Sequence, residues 1–524
     1  MDFFHRVKRK PIWILTFTGL CSIFFFVSCN SGSVTSGENG TVADSTVQLV
    51  KSVCTRCHDF IPADMLDKKT WKEMVIPAMA TKMGVYQLDG VEFRTDARDP
   101  DVPKGIYPEK PQITNNQLRE IIHYFDMLAP DQLPLQKREL QIGKQTSRFR
   151  PVFPNLPPTD PPMTTYVSIR PDWKRIVVGV GGQHNRIGCF NEKAEPIWVQ
   201  ALASPPAYVD FQSPQNWLIT CMGSLMPSNK KEGKLVSLQT SPNGPPGNLR
   251  DILTGLPRPV QINQMDLDGK GAQDVLIHGF GHLTGKFYWM EGGNEKNSHT
   301  LRETPGAIRS VFIDWDGDGK KDIITLFAQN KEAIVLFRNK GNGEYEEKEL
   351  IKFLPIYGST FFDVRDVNGD GKPDIIYCAG DNADFSVALK NFHGVYIYVQ
   401  ENEKLVQKYF YPIHGCYKAL MRDFDLDGDQ DMIAISFFAD YISQWNESLV
   451  YFENTGNFNF VPYSVEGFDK GRWLTMDAGD VDGDGDEDVI TGNFAYGPES
   501  FIDQKQIKGF SEQPVFMLLQ NTTK

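Results

Sequence analysis

The chain lacks the signatures that mark most hydrolases and nucleotide-dependent dehydrogenases. No nucleophile elbow, zinc-protease motif or dinucleotide fingerprint occurs in its 524 residues. Positive charge is in deficit: 54 Lys and Arg stand against 67 Asp and Glu, for a net charge of −13. That balance argues against a nucleic-acid partner and for a soluble acidic surface. The apolar run Ile12 to Val27 is short for a helix that crosses a bilayer. Cysteine is sparse, at eight residues, and Cys189, Cys221, Cys378 and Cys416 lie far apart. No spacing pairs these four, so they read as buried free thiols, although an exported chain permits disulfides.

What the chain does have is a repeat. The stretch Asp314-Trp-Asp-Gly-Asp-Gly-Lys-Lys-Asp322 returns as Asp266-Leu-Asp-Gly-Lys-Gly-Ala-Gln-Asp274, Asp366-Val-Asn-Gly-Asp-Gly-Lys-Pro-Asp374, Asp423-Phe-Asp-Leu-Asp-Gly-Asp-Gln-Asp431 and Asp480-Val-Asp-Gly-Asp-Gly-Asp-Glu-Asp488. A unit recurring at roughly 50 residues predicts a stacked or closed repeat architecture. Oxygen ligands at positions 1, 3 and 5 with Gly at 6 resemble the first half of an EF-hand loop. So many close carboxylates repel one another unless a cation neutralises them. The expected calcium ligands are Asp314, Asp316, Asp318 and Asp322; Asp366, Asn368, Asp370 and Asp374; Asp423, Asp425, Asp427 and Asp431; and Asp480, Asp482, Asp484 and Asp488. Position 7 is expected to add a backbone carbonyl. In the remaining copy Asp266, Asp268 and Asp274 share the loop with Lys270, whose ammonium is an alternative to the metal. About four calcium ions are therefore expected.

Each loop lies between short apolar stretches, as in Ser310-Val-Phe-Ile-Asp314 and Asp322-Ile-Ile-Thr-Leu-Phe327, which reads as strand, turn, strand. This part of the chain resembles the FG-GAP (VCBS-type) repeats of integrin-alpha-like β-propellers. The resemblance implies one blade per repeat with calcium in the hairpin loops. Two degenerate units, beginning near Ser168 and Tyr208, keep the turn and the apolar strand but not the carboxylates. The total is seven blades, a number that closes a ring. The ends Thr165–Ser168 and Pro514–Leu519 are expected to share one blade and seal it.

The amino-terminal third is different. Arg6, Lys8, Arg9 and Lys10 precede the apolar run, and Ser28-Cys29 follows it. This resembles a bacterial lipoprotein signal over residues 1–29, with Cys29 lipidated and 30–44 a flexible tether. An ordinary signal peptide or an uncleaved anchor helix are the alternatives, and all three export the rest of the chain. The expected location is the outer membrane by a lipid anchor, on the periplasmic side or the cell surface.

Cys54-Thr-Arg-Cys57-His58 is a Cys-x-x-Cys-His motif, the pattern of covalent c-type haem attachment. The thiols form thioethers and the His supplies an iron ligand. A redox dithiol is the competing reading, but it does not require the adjacent His. Residues 45–130 resemble a class I c-type cytochrome. That resemblance favours Met79, shortly after Pro77, as the sixth ligand, with Met83 the alternative. Thr114-Asn-Asn-Gln117 resembles a capping box and opens a helix whose apolar face carries Leu118, Ile121, Ile122, Phe125 and Leu128. The Pro-bearing segment 131–163 is read as a semi-rigid linker. The expected molecule is thus multidomain: a small all-α cytochrome c domain followed by an all-β seven-bladed propeller over 164–524.

In each hairpin the rim opposite the Asp loop gathers the start of the first strand and the end of the second. His184, Arg258, His278, His282, Arg309, Tyr357, His414, Lys418 and Arg472 are expected there, as a candidate polar ligand pocket around one opening. A solvated rim is the plain alternative. The leading functional expectation is electron transfer by an exported, lipid-anchored protein. Its propeller would dock a redox partner protein or a small-molecule or carbohydrate ligand. A haem-coupled periplasmic dehydrogenase of a sugar or alcohol is the alternative, although tryptophan-docking repeats of quinoprotein propellers are not evident. A purely adhesive propeller would leave the haem motif unexplained.

Overall fold

The computed structural model describes residues 42–156, 161–241, 244–382, 388–402, 404–496 and 513–523. Residues 1–29, with Cys29, and most of the expected tether lie outside them.

Each Asp loop joins two antiparallel strands. Pro259–Met265 pairs with Asp274–Gly279, Ala307–Ile313 with Asp322–Phe327, Ser359–Arg365 with Asp374–Ala379, Cys416–Arg422 with Asp431–Ser436, and Trp473–Gly479 with Asp488–Asn493. The second strand of each hairpin is buried at all six residues, which is why it reads as an unbroken apolar run without alternation. Two more hairpins, Thr164–Arg170 with Arg175–Val180 and Pro206–Ser213 with Asn216–Cys221, complete the set. Each hairpin extends outward into a sheet of four or five strands, giving seven blades. The chain is a seven-bladed β-propeller. Contacts between successive first strands run around all seven blades and return from the last to the first, so these strands line the axis.

A register shift recurs near the outer end of every first hairpin, as between Ala307 and Arg309 or between Cys416 and Lys418. Such a bulge adds one residue and re-aims the side chain after it.

Ring closure differs from the sequence expectation. Thr164–Arg170 opens blade 1 and does not join Phe516–Asn521. The sealing strand is Phe149–Val152, paired antiparallel with Phe516–Asn521 as the outermost strand of blade 7. It lies inside the stretch expected to be a linker. Pro151 is tolerated there because an outermost strand needs no donor on its free side. Gly143–Gln145, from the same stretch, adds a parallel fifth strand to blade 6.

The amino-terminal part is a small helical head. Helices Asp44–Cys54, Ile76–Lys82 and Asn115–Leu128 enclose a core with Val50, Leu66, Trp71, Leu118 and Phe125. Trp71 stacks on Phe125 at 3.9 Å and donates its indole N–H to the Ala63 carbonyl. The capping box forms: Thr114 Oγ1 accepts from the Gln117 N–H, and Gln117 Oε1 accepts from the Thr114 N–H. Ile356 of the propeller completes this core, so head and ring share apolar contacts.

Polar contacts extend the seat. Lys352 pairs with Asp59 at 2.7 Å, and Asn229 donates to Asp99 at 3.1 Å. Gln136 donates to the Lys390 and His393 carbonyls, and Arg138 donates to the Pro412 carbonyl and pairs with Glu447.

Candidate functional site

The five Asp loops share one internal geometry. The first Asp accepts backbone N–H groups with both oxygens: Asp314 takes those of Gly317 at 2.8 Å and Gly319 at 2.9 Å, and Asp366 those of Gly369 and Gly371 at 2.8 Å each. Gly317 has φ 78° and Gly319 φ 85°, the left-handed region that only Gly enters cheaply. In the blade 6 loop Leu426 occupies the fourth position with φ 61°.

The ninth residue has a role that spacing alone did not reveal. Asp274, Asp322, Asp374, Asp431 and Asp488 are all buried. One oxygen of each accepts an N–H from the third strand or the turn that follows it: Gly292, Asn339, Gln400, Asn454 and Asn521 respectively, at 2.7–2.9 Å. In four loops the other oxygen accepts the N–H of position 2, and in blade 6 it accepts the Tyr451 hydroxyl. These carboxylates are pegs between loop and sheet, whatever else they bind.

Carboxylate oxygens gather within 4.8 Å in four loops: Asp266, Asp268 and Asp274; Asp314, Asp316 and Asp322; Asp423, Asp425 and Asp427; and Asp480, Asp482 and Asp484. In the Asp366 loop Asn368 replaces one of the acids. Neighbouring cations divide the loops further. Lys270 reaches Asp268 at 2.7 Å, Lys320 reaches Asp318 at 2.6 Å, and Arg338 reaches Asp316 at 3.0 Å. Blades 6 and 7 instead carry an acid at position 7, Asp429 and Asp486, which the carbonyl expectation passed over. Asp486 is 2% exposed, and neither of its oxygens has a hydrogen-bond partner. Burial and the adjacent Asp484 push its carboxyl up to about 7. A buried acid with two orphaned oxygens among three other carboxylates fits a divalent cation. Among the loops, that at Asp480 fits best.

At the head, Cys54 ends the first helix and is buried, while Cys57 is exposed. Burial pushes the Cys54 thiol up to about 11. A redox dithiol needs the reverse, a lowered pKa at a helix N-terminus. His58 Nδ1 lies 2.7 Å from the Asp59 carbonyl; donating there leaves Nε2 as a free lone pair. An apolar cavity opens beside Cys54, with Met79, Met83, Ile121 and Phe125 in its walls. Met79 is half-buried and Met83 buried. Two thiols, an oriented imidazole and an apolar slot with two thioethers fit a c-type haem.

The nine rim residues do not converge on one pocket. His278 is fully buried between Ser310 Oγ at 2.6 Å and the Gln261 carbonyl at 3.0 Å, and burial pushes its pKa down to about 3. His414 is buried against Glu447 at 3.0 Å. Arg472 is fully buried with Phe437 at 3.8 Å. Arg258 donates to the Ser224 and Leu225 carbonyls. His282 pairs with Asp96 of the head at 3.3 Å, and Tyr357 stacks on Phe392, which packs against the head's core. His184 is exposed. Of the nine, Arg309 and Lys418 share a neighbour, at 4.9 and 4.8 Å from the centre of the Phe361 ring. Most of the set holds blades together or seats the head.

The FG-GAP-like repeat family matches residues 266–325, 314–377 and 423–491. The chain carries FG-GAP repeats, and they coincide with the Asp-loop blades. No curated protein matches the chain. Among solved structures, the Neurospora crassa Pan2 WD40 domain is 9% identical, covering 73% of this chain and 99% of that one at a TM-score of 0.42. Saccharomyces cerevisiae Sqt1 is 9% identical, covering 71% and 100% at 0.41. The V. cholerae biofilm matrix protein Bap1 is 16% identical, covering 56% and 45% at 0.30.

Proposed function

We propose that this protein is an exported, lipid-anchored c-type cytochrome that transfers electrons, with its FG-GAP propeller as a calcium-stabilised binding module. The observation that carries the reading is the Cys54-x-x-Cys57-His58 motif beside an apolar cavity walled by Met79 and Met83. Cys54 and Cys57 would hold the haem through thioethers, His58 Nε2 would ligate the iron, and Met79 or Met83 would supply a further ligand. Bound there, the group supplies a one-electron iron centre. Ile76, Ile121 and Phe125 in its walls keep the cavity apolar, and a Met ligand to the iron would suit electron transfer. Calcium is assigned first to the loops at Asp480 and Asp423, where position 7 is acidic. The basic neighbours of the Asp266 and Asp314 loops lower their demand for a metal.

The reading is tested by producing the chain in a host that attaches c-type haem. A haem resistant to denaturing extraction, a c-type spectrum and its loss in C54A/C57A are expected. A colourless product that is nonetheless folded would overturn it.

A further inference from the structure

Arg309, Phe361 and Lys418 occupy the same place in three successive blades. Each is the third residue of its blade's first strand, directly after the recurring bulge, and these first strands line the axis. The Arg309 guanidinium lies 4.9 Å from the Phe361 ring centroid and the Lys418 ammonium 4.8 Å from it. Two cations therefore share one aromatic ring inside a protein of net charge −13.

Neither cation has spent its donors. Among the described residues no carboxylate pairs with Lys418 and no acceptor takes its protons. Arg309 has one long ion pair, to Asp363 at 3.6 Å, and its buried Nε has no partner. The axial carboxylates are committed elsewhere. Asp477 accepts the Ile169 N–H at 2.9 Å, Asp210 the Gln264 N–H at 2.8 Å, and Asp363 also pairs with Arg365 at 3.3 Å. A half-buried cation whose nearest carboxylates stand at or beyond contact distance gains when an anion joins it.

We propose that Arg309 and Lys418 form a binding site for a small carboxylate on the propeller axis, with the Phe361 ring as its floor. A carboxylate offers two oxygens, one for the exposed part of the guanidinium and one for the ammonium. The apolar ring beneath admits the short aliphatic part of an organic acid. Burial and Arg309 push Lys418 down to about 8, so a bound anion would draw its pKa back up. Lys418 faces Arg309 of blade 4, Asp363 of blade 5, Arg422 of its own strand and Asp477 of blade 7.

The site is independent of haem and of the Asp loops, and its test does not depend on them. The full mature chain is titrated calorimetrically with sodium acetate at constant ionic strength, with sodium chloride and sodium sulfate as parallel arms. Acetate should bind saturably and at least tenfold more tightly than chloride or sulfate. K418M should weaken acetate at least tenfold, and R309K should weaken it less while keeping the charge. Affinity should fall between pH 7 and 9 in the native chain. Equal binding of all three anions, no saturable acetate binding, or unchanged affinity in folded K418M would each overturn the proposal. Should K418M not fold, a perturbed Lys418 resonance on acetate addition in the native chain, after reductive ¹³C-methylation, supports the site. Its absence overturns it.

Discussion

The carboxylate of Asp322 accepts the backbone N–H of Asn339 at 2.7 Å and that of Trp315 at 3.0 Å. One side chain thus ties a loop closing the first hairpin of blade 4 to the third strand of the same blade. Replacing it with Ala leaves two buried donors without acceptors, each costing about 1–3 kcal/mol. D322A should therefore lose about 2–6 kcal/mol in chemical denaturation. The loss should persist with calcium removed, which separates the peg from any metal ligand.

Calcium should act unequally on the loops. Chelation is expected to lower the melting temperature, since binding to the folded state alone stabilises it. The effect should fall most in D486N, because Asp486 is the buried acid with no other partner. Without calcium D486N should be more stable than the native chain, since it removes an uncompensated charge. Scanning calorimetry with and without chelator checks both signs.

The same acid sets a pH dependence. Asp486 and Asp488 are each pushed up to about 7, above the unfolded carboxyl range. The folded state then binds more protons, so this contribution is present below the unfolded pKa and lost as pH rises through 7. The calcium-free chain should gain stability from pH 8 to pH 5, and D486N should flatten that slope. Urea midpoints across the range measure it.

Leu426 stands at φ 61°, where the other four loops have Gly. The left-handed conformation costs a non-Gly residue about 1–2 kcal/mol, partly offset by the extra unfolded-state freedom of Gly. L426G should raise stability by about 0.5–1 kcal/mol, read as a shift in denaturation midpoint without a change in slope.

The segment that follows the head is pinned to the propeller by a buried ion pair. The side chains of Arg138 and Glu447 are 4% and 0% exposed. Removing one partner strands the other charge, typically at 3–5 kcal/mol. R138M should expose the segment before Gly143 to limited proteolysis, whereas R138M/E447Q should recover much of the loss.

The blades were legible because their loops are local: nine residues carry the turn, the pegs and the acids together. Five blades followed from that spacing, and two more from the turn and apolar strand near Ser168 and Tyr208. The closing strand was hidden because Pro151 and its neighbours read as linker, and only pairing with Phe516–Asn521 makes them a strand. The rim failed for a different reason. His282 pairs with Asp96, and Tyr357 stacks on Phe392, which packs on the head's core, and the head is far away in sequence. Asp486 was visible as a sixth acid in its loop; its burial was not.

Because Phe149–Val152 hooks onto Phe516–Asn521, blade 7 is assembled from two distant parts of the polypeptide. During synthesis the earlier blades must wait as an open crescent, with an unpaired strand edge at its trailing end. Only arrival of the last strand lets the hoop snap shut, so loss of that short segment should leave an aggregation-prone arc rather than a slightly smaller ring.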